Sequence, residues 1–106
     1  MHRFKKLEMW QLSRAFCTEI YTVTSLFPEQ EKFGLISQLR RASVSIPSNI
    51  AEGSSRNSDR DFSRFIEIAI GSAYEMETQL LIAQDLKFVT EDNVNALTKN
   101  FRSLPE

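Results

Sequence analysis

Apolar residues recur along the chain in steps of three and four, the spacing that stacks side chains on one face of an α-helix. The first run comprises Met9, Leu12, Phe16, Ile20, Val23 and Phe27 and predicts a helix from about Leu7 to Leu26. Pro28 marks its boundary, because proline disfavours helical geometry in the residue before it. "FPEQEKFG" then reads as a short connection opening the next helix, with Glu29 and Glu31 suited to its positive end.

The second run holds Phe33, Ile36, Leu39, Ser43, Ile46 and Ile50, and it keeps its phase across Pro47. Proline removes one backbone donor and presses its ring on the carbonyl of Ser43, so the pattern predicts a kinked but continuous helix, bent near Ser43 to Pro47. Gly53 suits the end of that helix, since glycine takes the left-handed conformation at little cost. "SSRNSDRDF" is a polar turn in which Ser58, followed three residues later by Asp61, has the pattern of a helix N-cap.

A third run places Phe62, Phe65, Ile66, Ala69, Ala73, Met76, Leu80 and Ala83 on one face, reaching about Leu86. At about 1.5 Å per residue it spans roughly 40 Å, a length typical of bundles. Thr90 caps a shorter fourth stripe of Val94, Leu97 and Phe101. No segment has strand periodicity and no internal repeat is present. The expected fold is all-α: one domain over residues 1–106, an antiparallel up-and-down four-helix bundle with helix two kinked at Pro47 and helix four short.

Composition agrees with an ordered core, at 42% hydrophobic residues with eight Phe in 106. Thirteen basic and fourteen acidic side chains give a net charge of -1, so any nucleic-acid surface must be a local patch. A single cysteine, Cys17, forms no intramolecular disulfide, and "MHRFKKLEMWQLSR" has no continuous apolar stretch of the secretory kind. The expected setting is the reducing cytoplasm. No run approaches the ~18 apolar residues of a membrane span.

Candidate chemistry centres on "SVSIPSNIAEGSSRNS", residues 43–58. A phosphate-binding loop needs several glycines and a Lys-Ser or Lys-Thr pair, and neither is there. A nucleophilic serine among Ser43, Ser45 and Ser48 needs a positioned base, and the only histidine is His2, expected at a mobile terminus. Glu67, Glu75 and Glu77 have no histidine at the spacing of a carboxylate-bridged metal bundle. Enzyme activity, a metal, a cofactor and a small-molecule substrate are therefore not expected.

A second line on helix two, Gln38, Ala42, Ser45, Asn49 and Gly53, contains only small or polar residues and reads as lying opposite the apolar stripe. It predicts close helix contact, within or between subunits. Gly71 sits inside helix three at a cost of about 1 kcal/mol relative to alanine. It marks either a tolerated surface position or the close approach of another helix.

"FGLISQLRRASVSIPSNIAEGSSR" followed by "FSRFIEIAIGSAYEMETQLLIAQDL" resembles the four-helix bundle proteins encoded by intervening sequences in bacterial 23S ribosomal RNA genes. The likeness covers nearly the whole chain, and "LRRASVSIPSNIAEG" is its most specific part. The resemblance implies an antiparallel four-helix bundle, commonly a ring-shaped homopentamer, and implies no enzyme. Accessory proteins of diversity-generating retroelements are similar in fold and bind nucleic acid and a reverse transcriptase through basic surfaces. This chain departs from those patterns in two respects: Lys87 stands where members often carry glycine, and the near-neutral charge differs from the basic retroelement relatives.

Charge is unevenly divided, with ten Lys/Arg and seven Asp/Glu in residues 1–64 against three and seven in residues 65–106. Arg3, Lys5, Lys6, Arg56, Arg60 and Arg64 are the candidate contacts for weak, sequence-independent RNA binding. Arg41 is expected to form a structural ion pair with Glu52 or Glu75, because a desolvated arginine needs a carboxylate. Trp10 and Tyr74 read as core or subunit contacts rather than base-stacking platforms, and Cys17 as a small buried hydrophobe. The expected partners are further copies of the chain, with RNA or an unidentified protein as the alternative.

Overall fold

Helix ends form where a side chain replaces a missing backbone partner, and three such caps organise this chain. In the computed structural model, which describes residues 2–99, α1 spans Glu8–Thr24, α2 Leu35–Ser54, α3 Asp59–Asp85 and α4 Glu91–Thr98. The Ser58 hydroxyl accepts the Asp61 amide at 3.1 Å and the Thr90 hydroxyl accepts the Asn93 amide at 3.1 Å, the two N-caps read from the sequence. Glu31 belongs to a separate 3-10 turn, Glu29–Glu31, yet its Oε1 accepts the Leu35 amide at 3.2 Å and so caps α2 from outside. No strand occurs among the described residues, and the fold is an all-α four-helix bundle.

The start of α2 differs from the expectation. Gly34 has φ -110 and ψ -116, outside helical geometry, so the helix begins at Leu35 and Phe33 is left 89% exposed instead of joining the stripe. α2 then runs unbroken through Pro47 to Ser54. Gly53 is an interior residue of that helix with no positive φ, so it is not the left-handed cap that the sequence suggested.

The left-handed residue is Lys87, at φ 66. Its amide donates to the Gln84 carbonyl at 2.9 Å and the Phe88 amide to the Ala83 carbonyl at 2.9 Å, the paired bonds of a Schellman turn. α3 therefore ends at Asp85, and an L side chain occupies a conformation that favours glycine.

Two core clusters divide the bundle along its length. Phe16, Ile20, Leu39, Met76, Leu80, Val94 and Leu97 belong to the larger one, which draws on all four helices. Ile46, Ile50 and Ala69 form the smaller, covered by Leu7, Met9, Trp10, Ile66 and Ala73. α4 is too short to reach that end, and the N-terminal segment closes it instead. Phe4 packs edge-on to Trp10 at 5.1 Å, and the His2 amide donates to the Ser54 carbonyl at 2.9 Å. His2 is thus fixed, its ring 4.3 Å from that of Phe62. Phe101, assigned above to the fourth stripe, lies outside the described residues.

α2 makes its most extensive contact with α3 and its next with α1. Gln38 meets Gln79, Ser45 meets Ser72 and Gly53 meets Phe62 and Phe65, so positions rise along α2 as they fall along α3, the register of an antiparallel pair. Cys17 beside Ser43 and Thr24 beside Arg40 give α1 and α2 the same relation.

Two substitutions test these assignments by chemical denaturation. Lys87→Gly removes left-handed strain and should stabilise the fold by about 1 kcal/mol. Gly53→Ala should destabilise it by about 1–3 kcal/mol despite better helix propensity, since the added Cβ would lie 2.7 Å from Phe65 Cβ.

Candidate interaction surfaces

The small line of α2 is spent inside the chain. At about 100° per residue it lies beside the apolar stripe and not opposite it, and it faces α3. Ala42 and Gly53 are buried, Ser45 and Asn49 half-buried, and Gln38 exposed. Ser45 and Ser72 hydroxyls are 2.9 Å apart, and Asn49 Nδ2 donates to the Ser45 carbonyl and hydroxyl at 2.8 and 2.9 Å. Gln79 Nε2 bridges to Gln38 Oε1 at 3.4 Å and Glu75 Oε1 at 3.3 Å. Gly71 is different: it is exposed, and a Cβ there meets nothing within 4 Å. The two readings of small residues thus separate, Gly53 serving contact within the chain and Gly71 facing open space.

Of the three serines that could have been nucleophiles, Ser43 and Ser45 are engaged in packing and Ser48 is exposed. Ser43 Oγ donates to the Arg40 carbonyl at 2.9 Å and lies 3.5 Å from Cys17 Sγ, while Ser45 serves the α3 contact. His2 stands against Phe62 at the end of the bundle, away from Ser43. Among the described residues no group of three His, Cys, Asp or Glu could hold a metal ion, and no helix is long and apolar enough to cross a membrane.

The six candidate cations share one end of the bundle. The His2–Ser54 bond lays Arg3, Lys5 and Lys6 beside the α2–α3 turn, which holds Arg56 and leads into the start of α3 with Arg60 and Arg64, and all six are exposed. Arg56 stacks over the Phe65 ring at 4.9 Å, and Arg60 and Arg64 follow each other on one face of α3. Glu8, Glu52, Asp59 and Asp61 sit in the same region and dilute the charge.

Arg40 and Arg41 diverge. Arg40 Nε donates to Thr24 Oγ1 at 2.9 Å, Nη2 reaches the Tyr21 carbonyl at 3.3 Å, and the guanidinium lies 4.6 Å from the Tyr21 ring centroid. Arg41 is exposed, and neither Glu52 nor Glu75 is paired with it among the described residues. Two physical reasons account for this. Its charge stays hydrated, removing the need for a carboxylate, and Glu52 lies about 16 Å further along the same helix. Glu75 accepts from Gln79 instead.

Two surfaces that the core stripes do not foretell carry much of the exposed apolar area. One is an open groove of about 660 Å³ along α1 and α2, in which Tyr21, Ile36 and Val44 are bordered by Lys32, Phe33, Arg40 and Arg41. The other is the outer face of α3, where Ile68, Ile82 and Leu86 are 47%, 44% and 53% exposed. The signal for the second was available in the sequence: these residues fall in steps of three and four, or their multiples, from Gly71 and Glu75, off the core stripe. Cys17 and Trp10 are half-buried, Trp10 in the smaller core, and Tyr74 is 59% exposed.

Four packed helices with no strand among the described residues define the class, an all-α four-helix bundle protein. The family model described as 23S rRNA-intervening sequence protein matches residues 5–105. The chain belongs to that family. No curated protein matches it.

The arginine pair yields a prediction from denaturation of the two methionine variants. Arg40→Met should lose about 1 kcal/mol, because it removes the Nε–Thr24 bond and the stack on Tyr21, while the Thr24 hydroxyl keeps its bond to the Ile20 carbonyl. Arg41→Met should leave folding within about 0.5 kcal/mol.

Proposed function

We propose that the protein is a non-enzymatic interaction scaffold that works as a homo-oligomer, with a pentamer as the stoichiometry the resemblance implies and the reducing cytoplasm as its setting. The observation that carries this reading is the apolar area held outside the core, on the α1–α2 groove and the outer face of α3. Exposed patches of this kind on a stable helical domain mark protein contacts. Sedimentation equilibrium at micromolar concentration tests it, and the expected mass is about five times 12.2 kDa. A single 12.2 kDa species at every concentration and ionic strength overturns the reading.

One observation favours a second reading, weak RNA binding without sequence preference: Arg3, Lys5, Lys6, Arg56, Arg60 and Arg64 gather at one end although they come from distant parts of the chain. A ring repeats that cluster in every copy, and repeated weak contacts gain from effective concentration. Fluorescence anisotropy with a labelled single-stranded RNA should show affinity falling steeply with salt, with a shallower slope after Arg60→Ala and Arg64→Ala. Absence of binding even at low salt removes the RNA reading and leaves the scaffold reading intact.

A further inference from the structure

The groove on α1 and α2 and the outer face of α3 are complementary in charge. Lys32, Arg40 and Arg41 border the groove, and among the described residues no carboxylate lines it. Arg64 stands at the N-terminal end of that face, and from Phe65 through Leu86 the chain has no lysine or arginine, while Glu67, Glu75 and Asp85 are exposed there. Both surfaces also present apolar side chains: Phe33, Tyr21 and Val44, at 89%, 43% and 41% exposure, on the first and Ile68, Ile82 and Leu86 on the second. We propose that the outer face of α3 of one copy seats in the α1–α2 groove of the next, so that copies join head to tail. The inference rests on the oligomeric reading above and specifies its contact.

Three details of the protomer support this seating. Arg40 is held in place by Thr24 and by the Tyr21 ring, so a cation at the groove is ordered before any partner arrives. Glu75 has one oxygen bound by Gln79 at 3.3 Å, which steadies an exposed carboxylate on the opposing face. Gly71 lies on that face with open space in front of it, at a helix-propensity cost that nothing inside the chain offsets. A neighbouring helix passing close to Gly71 supplies the missing reason.

No residue of α3 lines the groove, so the two surfaces are distinct and one copy can use both at once. A contact between different patches is heterologous: repeated, it closes into a ring when the rotation permits and otherwise runs on as a filament. Two copies that share a single self-complementary patch stop at a dimer. The proposal therefore has a signature in mixing experiments.

The test uses the full chain with a groove variant, Val44→Arg, and a face variant, Ile82→Lys, at positions 41% and 44% exposed. Circular dichroism checks that each keeps its helix content; if one does not, Phe33→Glu or Leu86→Lys replaces it, at 89% and 53% exposure. Each variant alone should sediment as a 12.2 kDa monomer. An equimolar mixture should give a heterodimer of about twice 12.2 kDa and nothing larger, because only one intact groove and one intact face remain to meet. Variants that keep the wild-type mass overturn this seating and leave the oligomeric reading in place, as do variants that are monomeric both alone and mixed. A monomeric wild-type protein removes the oligomeric reading itself.

Discussion

The close approach of α2 to α3 is the constraint on which the remaining packing depends. Two helices come this near only where small side chains on one receive the other, and the α2 side of the seam supplies Ala42, Ser45 and Gly53. At Gly53 the approach leaves no room for a methyl group beside Phe62 and Phe65. At the middle, Ser45 and Ser72 satisfy each other's hydroxyls, so the polar atoms exclude no apolar contact nearby. With the seam closed, Leu39 and Ala42 meet Met76 and Leu80, and α1 completes the layer with Phe16 and Ile20. The seam has one imperfection: Gln79 is buried, and its Oε1 has no hydrogen-bond partner.

Most of the small face of α2 is used within the chain, Ser45 alone reaching the groove, and the surfaces left for partners present mainly larger side chains. Helix geometry sets which residues these are. α4 covers only one end of the bundle and the N-terminal segment the other, so Ile68, Gly71 and Ile82 on the outer side of α3 remain uncovered among the described residues. On α2, one residue separates the fates of two arginines. Arg40 turns onto Thr24 and Tyr21 of α1 as a structural cation, and Arg41 projects into solvent at the groove.

Much of this was legible in the chain because helix periodicity is a local property. The stripes through Ile20, Leu39, Met76 and Leu80 mark the core, and Ser58 and Thr90 mark helix starts by the bonds they make. Misreadings arose where a residue's role depends on a neighbour distant in sequence. Gly53 reads both as a helix terminator and as a member of the close-contact line, and only the position of Phe65 decides for the second. Phe33 keeps the phase of the second stripe, but Gly34 breaks the helix between them. His2 looks like a loose terminus until Ser54 and Phe62 are brought beside it. The groove and the α3 face escaped notice because exposed apolar positions between two core stripes look like tolerated surface until the fold leaves them adjacent.

Native-state hydrogen exchange tests the primacy of the seam most directly. The account predicts that amides on its two sides, such as those of Ile50 in α2 and Ala69 in α3, exchange through one shared opening with the largest free energy in the protein, while α4 amides such as Leu97 open separately and more easily. An Ile50 amide that opens more easily than Leu97, or independently of Ala69, would contradict it.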